Sequence, residues 1–485
     1  MITAAAALAA VLAHVAIVTQ DSAALRAMPR DSGTTQAQLT AGDALEVRGE
    51  RMDYLQVYDH RRERAGFVKA SQVRLTNAGA ADAAELLAVL RFVRDTPGQE
   101  ALGVAYAAAY LKAAPASAIT AEPFDALGSM AERLARRASS RNGTTDSKLA
   151  AHLEGVATYG VRILSYEQDG AVRLCYDGEA YRRVLAMKEA TPEQRARAAL
   201  GLTRHDCVDP TLRATELAAV NRWRGEVLQR LSDADMAQLP EQTKNRIHLR
   251  RAGVQATLAF EQARRGEAAQ PTGQSAIAEL AAVNKAELSD DDQTEYADAA
   301  IRVGASRWAA ELPINLAKPT ASRPTFITQA GQPGETCVLL TDAQHDAAHP
   351  LLRRCTWGVA WLASASTNTA GTAVSLAVQP LATWRELWLM KKTPDGWTLD
   401  VLPPAPGNPL GADTGYVEFA GWVPEGEPRV LMARESKVDG KLTRRFEVSK
   451  LDSLAVDKQA SSPQLLAMFQ RWQDPAWKRQ SVSLR

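Results

Sequence analysis

The chain has 485 residues, of which 46% are hydrophobic and 23% are charged, so it can bury the cores of about two to four globular domains. Its 57 basic and 56 acidic residues leave a net charge of +1, which excludes the strongly basic balance typical of nucleic-acid-binding proteins. Local arginine clusters such as Arg250-Arg251 lie in helical patterns beside glutamates and are interpreted as solvated helix faces.

Residues 1–16 form an apolar leader rich in Ala, Val and Leu. The run is too short to cross a membrane comfortably, and Val11-Leu12-Ala13 offers small residues suited to signal-peptidase cleavage. We interpret it as a secretion signal, which predicts a periplasmic or otherwise exported protein with no stable membrane span after signal removal. No Lys or Arg precedes the run, so an upstream start or an uncleaved apolar strand or anchor remains an alternative.

Residues 17–77 alternate between apolar and polar side chains, as in Leu45–Arg48 and Tyr54–Tyr58. A period of two predicts half-buried β-strands. Turns are predicted at Gly42-Asp43 and Gly49-Glu50, because glycine tolerates positive φ, and a solvated hairpin tip is predicted at Asp59–Arg64. The segment therefore predicts a small β-barrel.

The order of motifs in this segment resembles the bacterial SH3-like domain of exported cell-envelope proteins. The resemblance rests on Ala24-Leu25-Arg26, Thr40-Ala41-Gly42, Tyr54 and Gly66-Phe67-Val68, where Tyr54 and Phe67 stand at positions that hold Trp in the family pattern. It implies an SH3-like barrel that binds peptidoglycan or an envelope protein or peptide. The candidate binding residues are Arg26, Tyr54, Tyr58 and Phe67, for which barrel core or solvent face is the alternative interpretation.

Residues 80–312 are predicted to form an α-helical domain of helical hairpins. Leu149, Leu153, Val156 and Ile163 are interpreted as one helix face, and Thr191–Gln194 predicts a capping box with Pro at the first helical position. Further helices are predicted to start at Asp209-Pro210 and at Ser289. The hexapeptide at 216–221 recurs at 279–284, which favours either a small helical repeat or chance similarity in Ala- and Leu-rich helices.

A linker is predicted at 313–324, followed by an antiparallel β domain at 325–460 and a C-terminal helix and tail at 461–485. Eight of the ten Trp residues lie after residue 350, which indicates an aromatic-rich β core. Two segments, starting at Trp357 and Tyr416, each predict four consecutive strands, with hairpin turns at Asp395-Gly396 and Asp439-Gly440. This plan weakly resembles β-propeller blades, and a sandwich is the alternative. The fold class is therefore multidomain α+β.

The four cysteines, Cys175, Cys207, Cys337 and Cys355, allow three disulfide pairings. Pairing sequence neighbours keeps each bridge inside one domain and would stabilise the fold by about 3–4 kcal/mol per bridge in the loop-entropy model. Four reduced, buried thiols are the alternative. Disulfides agree with export.

His345-Asp-Ala-Ala-His349 resembles a zinc-protease helix motif, because a helix there would place both imidazoles on one face. Pro350 follows at once, and the segment lies between two cysteines, which favours a hairpin loop, so both histidines are only weak metal candidates. No nucleophile, phosphate-binding or dinucleotide motif occurs, and we assign no catalytic residue or cofactor. We expect a non-enzymatic, exported cell-envelope binding protein; the alternatives are a component of peptidoglycan processing, accessory or hydrolytic, and an intracellular scaffold.

Overall fold

The computed structural model describes residues 14–77, 79–139, 146–168, 171–312, 323–407 and 413–484. It shows a multidomain α+β protein with several antiparallel sheets. Most of the predicted leader (1–13) and of the predicted linker (313–322) lies outside the described residues. Among the helices described, none combines the length and the apolar character that a membrane crossing requires.

The chain divides into two compact units, and the division passes through the segment predicted to be one helical domain. The first unit contains the described residues up to Thr211 together with Leu231–Gln238. The second contains Leu212–Arg230 and the chain from Leu239 onward. The prediction of a single domain at 80–312 differs from this division.

The first unit begins with a seven-stranded antiparallel sheet in the order β3-β2-β6-β5-β4-β1-β7. Its strands are β1 (Val15–Val18), β2 (Ala23–Arg26), β3 (Thr35–Leu39), β4 (Ala44–Arg51), β5 (Tyr54–Asp59), β6 (Arg64–Lys69) and β7 (Val73–Thr76). Alternate residues in most of these strands contribute to one apolar core that includes Leu25, Leu55, Val57 and Val68. Residues 15 and 16 belong to β1, so the sheet begins inside the segment assigned to the leader.

One predicted turn in this sheet is correct and one is wrong. Gly42 has φ +95° between β3 and β4, as predicted. Gly49-Glu50, in contrast, lies within β4 at a register shift, and the reversal occurs at Met52-Asp53, where Met52 has φ +57°. Glycine at a β-bulge and glycine at a turn share the same sequence signature, which explains the error.

The residues that the structure describes form α-helices in both units. They are α1 (Ala83–Arg94), α2 (Glu100–Ala113), α3 (Ala121–Ala138), α4 (Ser147–Ala157), α5 (Glu179–Ala186), α6 (Pro192–Leu202), α7 (Ala214–Gln229), α8 (Asp233–Gln238), α9 (Glu241–Arg264), α10 (Gln270–Ala281), α11 (Asp290–Ser306), α12 (Ala467–Trp472) and α13 (Pro475–Leu484). Short 3₁₀ segments are Ala70–Gln72, Ala80–Asp82, Ala116–Ala118, His205–Cys207, Lys285–Glu287, Arg307–Ala310 and Pro463–Leu465.

Local signals explain where several helices begin. Thr191 and Gln194 form the predicted capping box at α6, and the Ser289 hydroxyl accepts a hydrogen bond from the Asp292 N–H at the start of α11. The predicted helix start at Asp209-Pro210 is wrong, because α7 begins at Ala214.

A β-hairpin interrupts the region that was predicted to be all helical. It consists of β8 (Ile163–Gln168) and β9 (Ala171–Tyr176). Ile163 therefore lies in a strand rather than on the face of α4, because the chain leaves that helix after Ala157 and Gly160 adopts φ +80°. The repeated hexapeptide is also not a structural repeat: 216–221 lies within α7, whereas 279–284 passes the end of α10.

The sheet of the first unit packs on its helices. Ile17 and Ala41 join the apolar core of α1–α4. Asp21 lies 2.8 Å from the Nε2 atom of buried His152 and 2.7 Å from the Nζ atom of Lys148, both on α4. Gly42 approaches α2 so closely that a Cβ atom there would lie 2.6 Å from the Ala101 carbonyl oxygen.

The second unit combines α7 and α9–α11 with two sheets. A three-stranded sheet contains β10 (Thr325–Ala330), β11 (Thr336–Thr341) and β12 (Leu352–Thr356). Two four-stranded meanders follow: β13 (Val359–Thr367), β14 (Ala373–Leu381), β15 (Trp384–Thr393) and β16 (Gly396–Leu402), then β17 (Thr414–Val423), β18 (Arg429–Val438), β19 (Lys441–Lys450) and β20 (Val456–Ala460). A short parallel contact between β15 and β17 joins the meanders in one eight-stranded sheet.

Both predicted hairpin turns are confirmed by the strand register. Asp439-Gly440 links β18 to β19, with positive φ at both residues, and the turn at Asp395-Gly396 links β15 to β16. Side chains of the three-stranded sheet share a core with the first meander. The C-terminal helices pack back on the second meander through Phe469 and Trp477, which contact Phe446.

Candidate binding face on the N-terminal sheet

The four predicted binding residues lie on one face of the N-terminal sheet. Leu25, Val57 and Val68 point into the core, so their sequence neighbours point to the opposite side. Arg26 on β2, Tyr54 and Tyr58 on β5, and Phe67 on β6 are thereby placed on the face away from the core.

Strand register brings these residues next to one another. Arg26 is paired with Phe67, and Phe67 with Gln56. Tyr54 is paired with Lys69, and residues directly opposite on antiparallel strands point to the same side of the sheet. We call Arg26, Gln56, Tyr58, Phe67 and Lys69 the aromatic face; all five side chains are partly exposed.

Tyr54 lies on the same side of the sheet, but its side chain is buried and offers no surface to a ligand. It is only 2% exposed, which differs from its predicted role in direct binding. Its hydroxyl donates a 2.7 Å hydrogen bond to the Asp31 carboxylate, and the Lys69 ammonium lies 2.8 Å from the same carboxylate. The Asp31 carboxylate therefore joins the Tyr54 hydroxyl and the Lys69 ammonium.

The contacts among Asp31, Lys69 and Tyr54 shift the pKa values of Asp31 and Tyr54 in opposite directions. Hydrogen bonds from Lys69 and Tyr54 lower the pKa of Asp31, which keeps this carboxylate ionised. Burial, and then the hydrogen bond to Asp31, raise the pKa of Tyr54, so its hydroxyl remains a donor. Asp31 is therefore an ionised acceptor shared by a hydroxyl and an ammonium group.

Tyr58 lies at the other end of the aromatic face. The Arg48 guanidinium lies 4.2 Å from the centre of its ring, and the His60 ring contacts its edge at 4.9 Å. Glu46 lies 3.1 Å from Arg48 and 2.6 Å from the His60 ring, and the Arg48 hydrogen bond is the main cause of the lowered pKa of Glu46. Arg26 donates a 2.9 Å hydrogen bond to the Gly33 carbonyl, which limits its side-chain freedom.

The cysteines form the two bridges between sequence neighbours. Cys175 on β9 is bonded to Cys207 with an S–S distance of 2.05 Å. Cys337 and Cys355 are opposite each other on β11 and β12, with an S–S distance of 1.99 Å. Neither Cys175 nor Cys207 therefore offers a free thiol.

The helix motif considered at His345 and His349 does not form. Both residues lie in the loop between β11 and β12, and each faces an aspartate of the same loop: His345 lies 2.8 Å from Asp342, and His349 lies 3.8 Å from Asp346. Of the part of the chain that the structure describes, only Glu335, Cys337 and Cys355 meet the geometry of a metal cluster. Those cysteines are bonded to each other, so they offer no thiolate.

Sequence reasoning identified the aromatic residues but missed Lys69, Gln56 and Asp31. Lys69 and Gln56 follow from the same period of two that selected Phe67 and Tyr58. Asp31 gave no signal, because its contact with Tyr54 joins residues 23 positions apart through a loop. Comparisons of this chain with protein-family models, curated proteins and solved structures found no match.

Proposed function

We propose that this is an exported, non-enzymatic binding protein whose N-terminal sheet is an SH3-like barrel that holds peptidoglycan or an envelope peptide on its aromatic face. The observation that carries the proposal is the register that places Arg26 beside Phe67, with Tyr58 on the same face of the sheet. No catalytic residue or cofactor is part of it.

The chemistry of the aromatic face suits such a ligand. Tyr and Phe rings offer flat apolar area for sugar rings or apolar side chains at low cost in conformational entropy. Arg26 and Lys69 supply cationic donors that suit ligand carboxylates. Because Tyr54 and the Asp31 loop fix one end of the face, little ordering is needed when a ligand binds.

Two disulfides support the exported setting. Such bonds persist in oxidising compartments and are uncommon in the cytosol. We expect the native protein to contain no free thiol, which thiol titration of unreduced protein would measure. Four titratable thiols together with an intact N-terminus would instead favour an intracellular scaffold.

The test of the binding face is co-sedimentation of the full chain with purified peptidoglycan sacculi and, separately, titration with soluble stem-peptide fragments. We expect saturable binding to at least one of the two, reduced at least tenfold in a Tyr58→Ala, Phe67→Ala double variant. The matched control is Phe92→Ala on α1, which removes a ring that is 79% exposed in the same unit.

Two outcomes would contradict the proposal. One is absence of binding to both materials, and the other is equal loss of binding in the Phe92→Ala control. A zymogram on the same sacculi separates binder from hydrolase: clearing by the purified chain would favour a peptidoglycan-processing enzyme.

A further inference from the structure

The two disulfides differ in the groups that surround their sulfur atoms. In the second unit, the Nη2 atom of Arg353 lies 3.5 Å from the Sγ atom of Cys337 and donates towards it. Arg353 is two positions from Cys355 on β12 and opposite Leu339 on β11, so its side chain can extend along the sheet to the bridge. One sulfur of the Cys337–Cys355 bridge therefore has a guanidinium group as its neighbour.

The bridge of the first unit has a different neighbour. The Sγ atom of Cys175 lies 3.8 Å from the backbone carbonyl oxygen of Asp206. The arginines closest to this bridge in the sequence, Arg173 and Arg204, lie 3.7 and 2.6 Å from the Asp206 carboxylate. Their charges are therefore offset, and the atom that contacts the Cys175 sulfur is an oxygen.

Exposure decides which sulfur of the second bridge an external thiolate can attack. Cys337 is 0% exposed, whereas Cys355, on the last strand of the three-stranded sheet, is partly exposed. Attack on Cys355 makes Cys337 the leaving group, and exchange is faster when the leaving thiolate is more stable. A neighbouring cation stabilises a thiolate, and Arg353 contacts the sulfur that leaves.

Glu335 acts in the opposite sense. One of its carboxylate oxygens and the two sulfur atoms of the bridge all lie within 4.8 Å of one another. Its Oε2 atom accepts a 3.0 Å hydrogen bond from the Gln332 N–H at the turn between β10 and β11. A negative charge beside the sulfurs disfavours both the incoming and the leaving thiolate. Arg353 and Glu335 therefore have opposite effects that can be measured separately.

We propose that Cys337–Cys355 is a reducible bridge that a dithiol reductant opens, and that Cys175–Cys207 is a structural bridge. The first thiolate of the reductant forms a bond to the Cys355 sulfur, the Cys337–Cys355 bond breaks, and Cys337 leaves as a thiolate beside Arg353. The second thiolate of the reductant then attacks the reductant sulfur of this mixed disulfide and releases Cys355. Two electrons and two protons pass to the cysteines, and the dithiol becomes a cyclic disulfide.

The test is reduction of the folded full chain by dithiothreitol below its melting temperature. Free thiols are blocked with N-ethylmaleimide at each time point, and peptide mass spectrometry follows each cysteine pair. We expect Cys337–Cys355 to open about tenfold faster than Cys175–Cys207 in the same sample. Arg353→Gln should slow this step by about threefold or more, because the leaving thiolate loses its cation.

A variant that unfolds would expose both bridges and be reduced faster, so slower reduction of Arg353→Gln cannot result from loss of the fold. Glu335→Gln keeps the size of the side chain and an acceptor for the Gln332 N–H, and it should accelerate the reduction. Circular dichroism before the reductant is added shows that this acceleration is not caused by unfolding.

Arg354→Gln is the matched control. Arg354 is exposed and pairs with Val338, which places it on the opposite side of β12 from Arg353, so its replacement should leave the rate unchanged. Glutathione, a monothiol, should form its adduct on Cys355. Equal rates at the two bridges, equal effects of the Arg353 and Arg354 substitutions, or an adduct on Cys337 would each overturn the proposal.

Discussion

At the scale of single residues, the buried carboxylate of Glu418 lies between two arginines. Arg307 donates a 2.9 Å hydrogen bond to its carboxylate, and Arg385, which is fully buried, donates another. Burial alone would raise the pKa of Glu418, but the charges of Arg307 and Arg385 lower it below its usual value. The carboxylate thus compensates the charges of two buried guanidinium groups.

Glu418→Gln removes that compensation while keeping the size of the side chain. We expect unfolding in urea to show a loss of about 3–5 kcal/mol, because two buried guanidinium groups lose their counter-ion. Glu425→Gln, at an exposed ion pair with Arg471, is the control and should change the free energy of unfolding by less than about 0.5 kcal/mol. Similar losses of unfolding free energy in both variants would show that Glu418 stabilises the fold no more than an exposed ion pair does.

Asp21 predicts a dependence of stability on pH. Burial would raise its pKa, but hydrogen bonds from Lys148 and His152 outweigh burial and lower the pKa to about 2 from 3.8. A carboxyl group with a lowered pKa in the folded state stabilises above its unfolded pKa, and this contribution is lost as the pH falls towards the folded value. The difference in unfolding free energy between the unchanged protein and Asp21→Asn should therefore be greatest above pH 4 and shrink as the pH falls towards 2. A difference that stays constant over this range would contradict the assignment.

At the scale of elements, the contact of α3, α5 and α6 depends on two glycines. Tyr181 on α5 is buried, and its hydroxyl donates a 2.8 Å hydrogen bond to Glu132 on α3. A Cβ atom at Gly128 would lie 2.6 Å from one edge of the Tyr181 ring, and one at Gly201 would lie 2.3 Å from the other edge. The absence of side chains on both sides makes room for the ring.

Gly128→Ala should therefore destabilise the first unit, although alanine favours helix. We expect a loss of about 1–3 kcal/mol, because a rigid ring cannot move away from the added methyl group. The control has the opposite sign: Gly155→Ala on α4 meets only ordinary contacts at 3.7 Å and should stabilise by roughly 0.5–1 kcal/mol. Melting temperatures of the two variants that shift in the same direction would refute this account.

Local signals predicted many element ends but not the contacts among elements. The Thr191–Gln194 box and the Asp439-Gly440 turn depend on residues a few positions apart, so the sequence alone was sufficient. The β8–β9 hairpin was missed because Ile163 fits a helical spacing, and Gly160 was not recognised as the stop. The Arg385–Glu418 pair joins residues 33 positions apart, and no local pattern specifies such a contact.

The aromatic face shows the same limit. The period of two placed Arg26, Tyr58 and Phe67 on one side of their strands, but the register that makes them neighbours depends on pairing across the sheet. Tyr54 is buried and hydrogen-bonded to Asp31, 23 positions away, and the sequence revealed neither feature. The sequence predicted which residues lie on this side of the sheet, but it did not predict how exposed each side chain is.

At the scale of the whole molecule, each disulfide lies within a single compact unit. Cys175–Cys207 belongs to the first unit and Cys337–Cys355 to the second. We expect calorimetry to show two unfolding transitions, and replacing one cysteine pair by alanine should lower only the transition of its own unit, by about 3–4 kcal/mol in stability. The other pair serves as the control in each experiment. A variant that lowers both transitions equally would show that the units unfold as one.

The order in which the chain visits the two units has a practical consequence for dissecting the protein. After Thr211 the chain contributes Leu212–Arg230 to the second unit, returns to the first with Leu231–Gln238, and leaves again. Asp235 in the returning segment forms an ion pair with Arg195 and accepts a hydrogen bond from the Ser232 hydroxyl. A single cut therefore does not separate the two units. A fragment that stops at Thr211 lacks the carboxylate that pairs with Arg195, and one that starts at Leu239 lacks α7, which packs on α9.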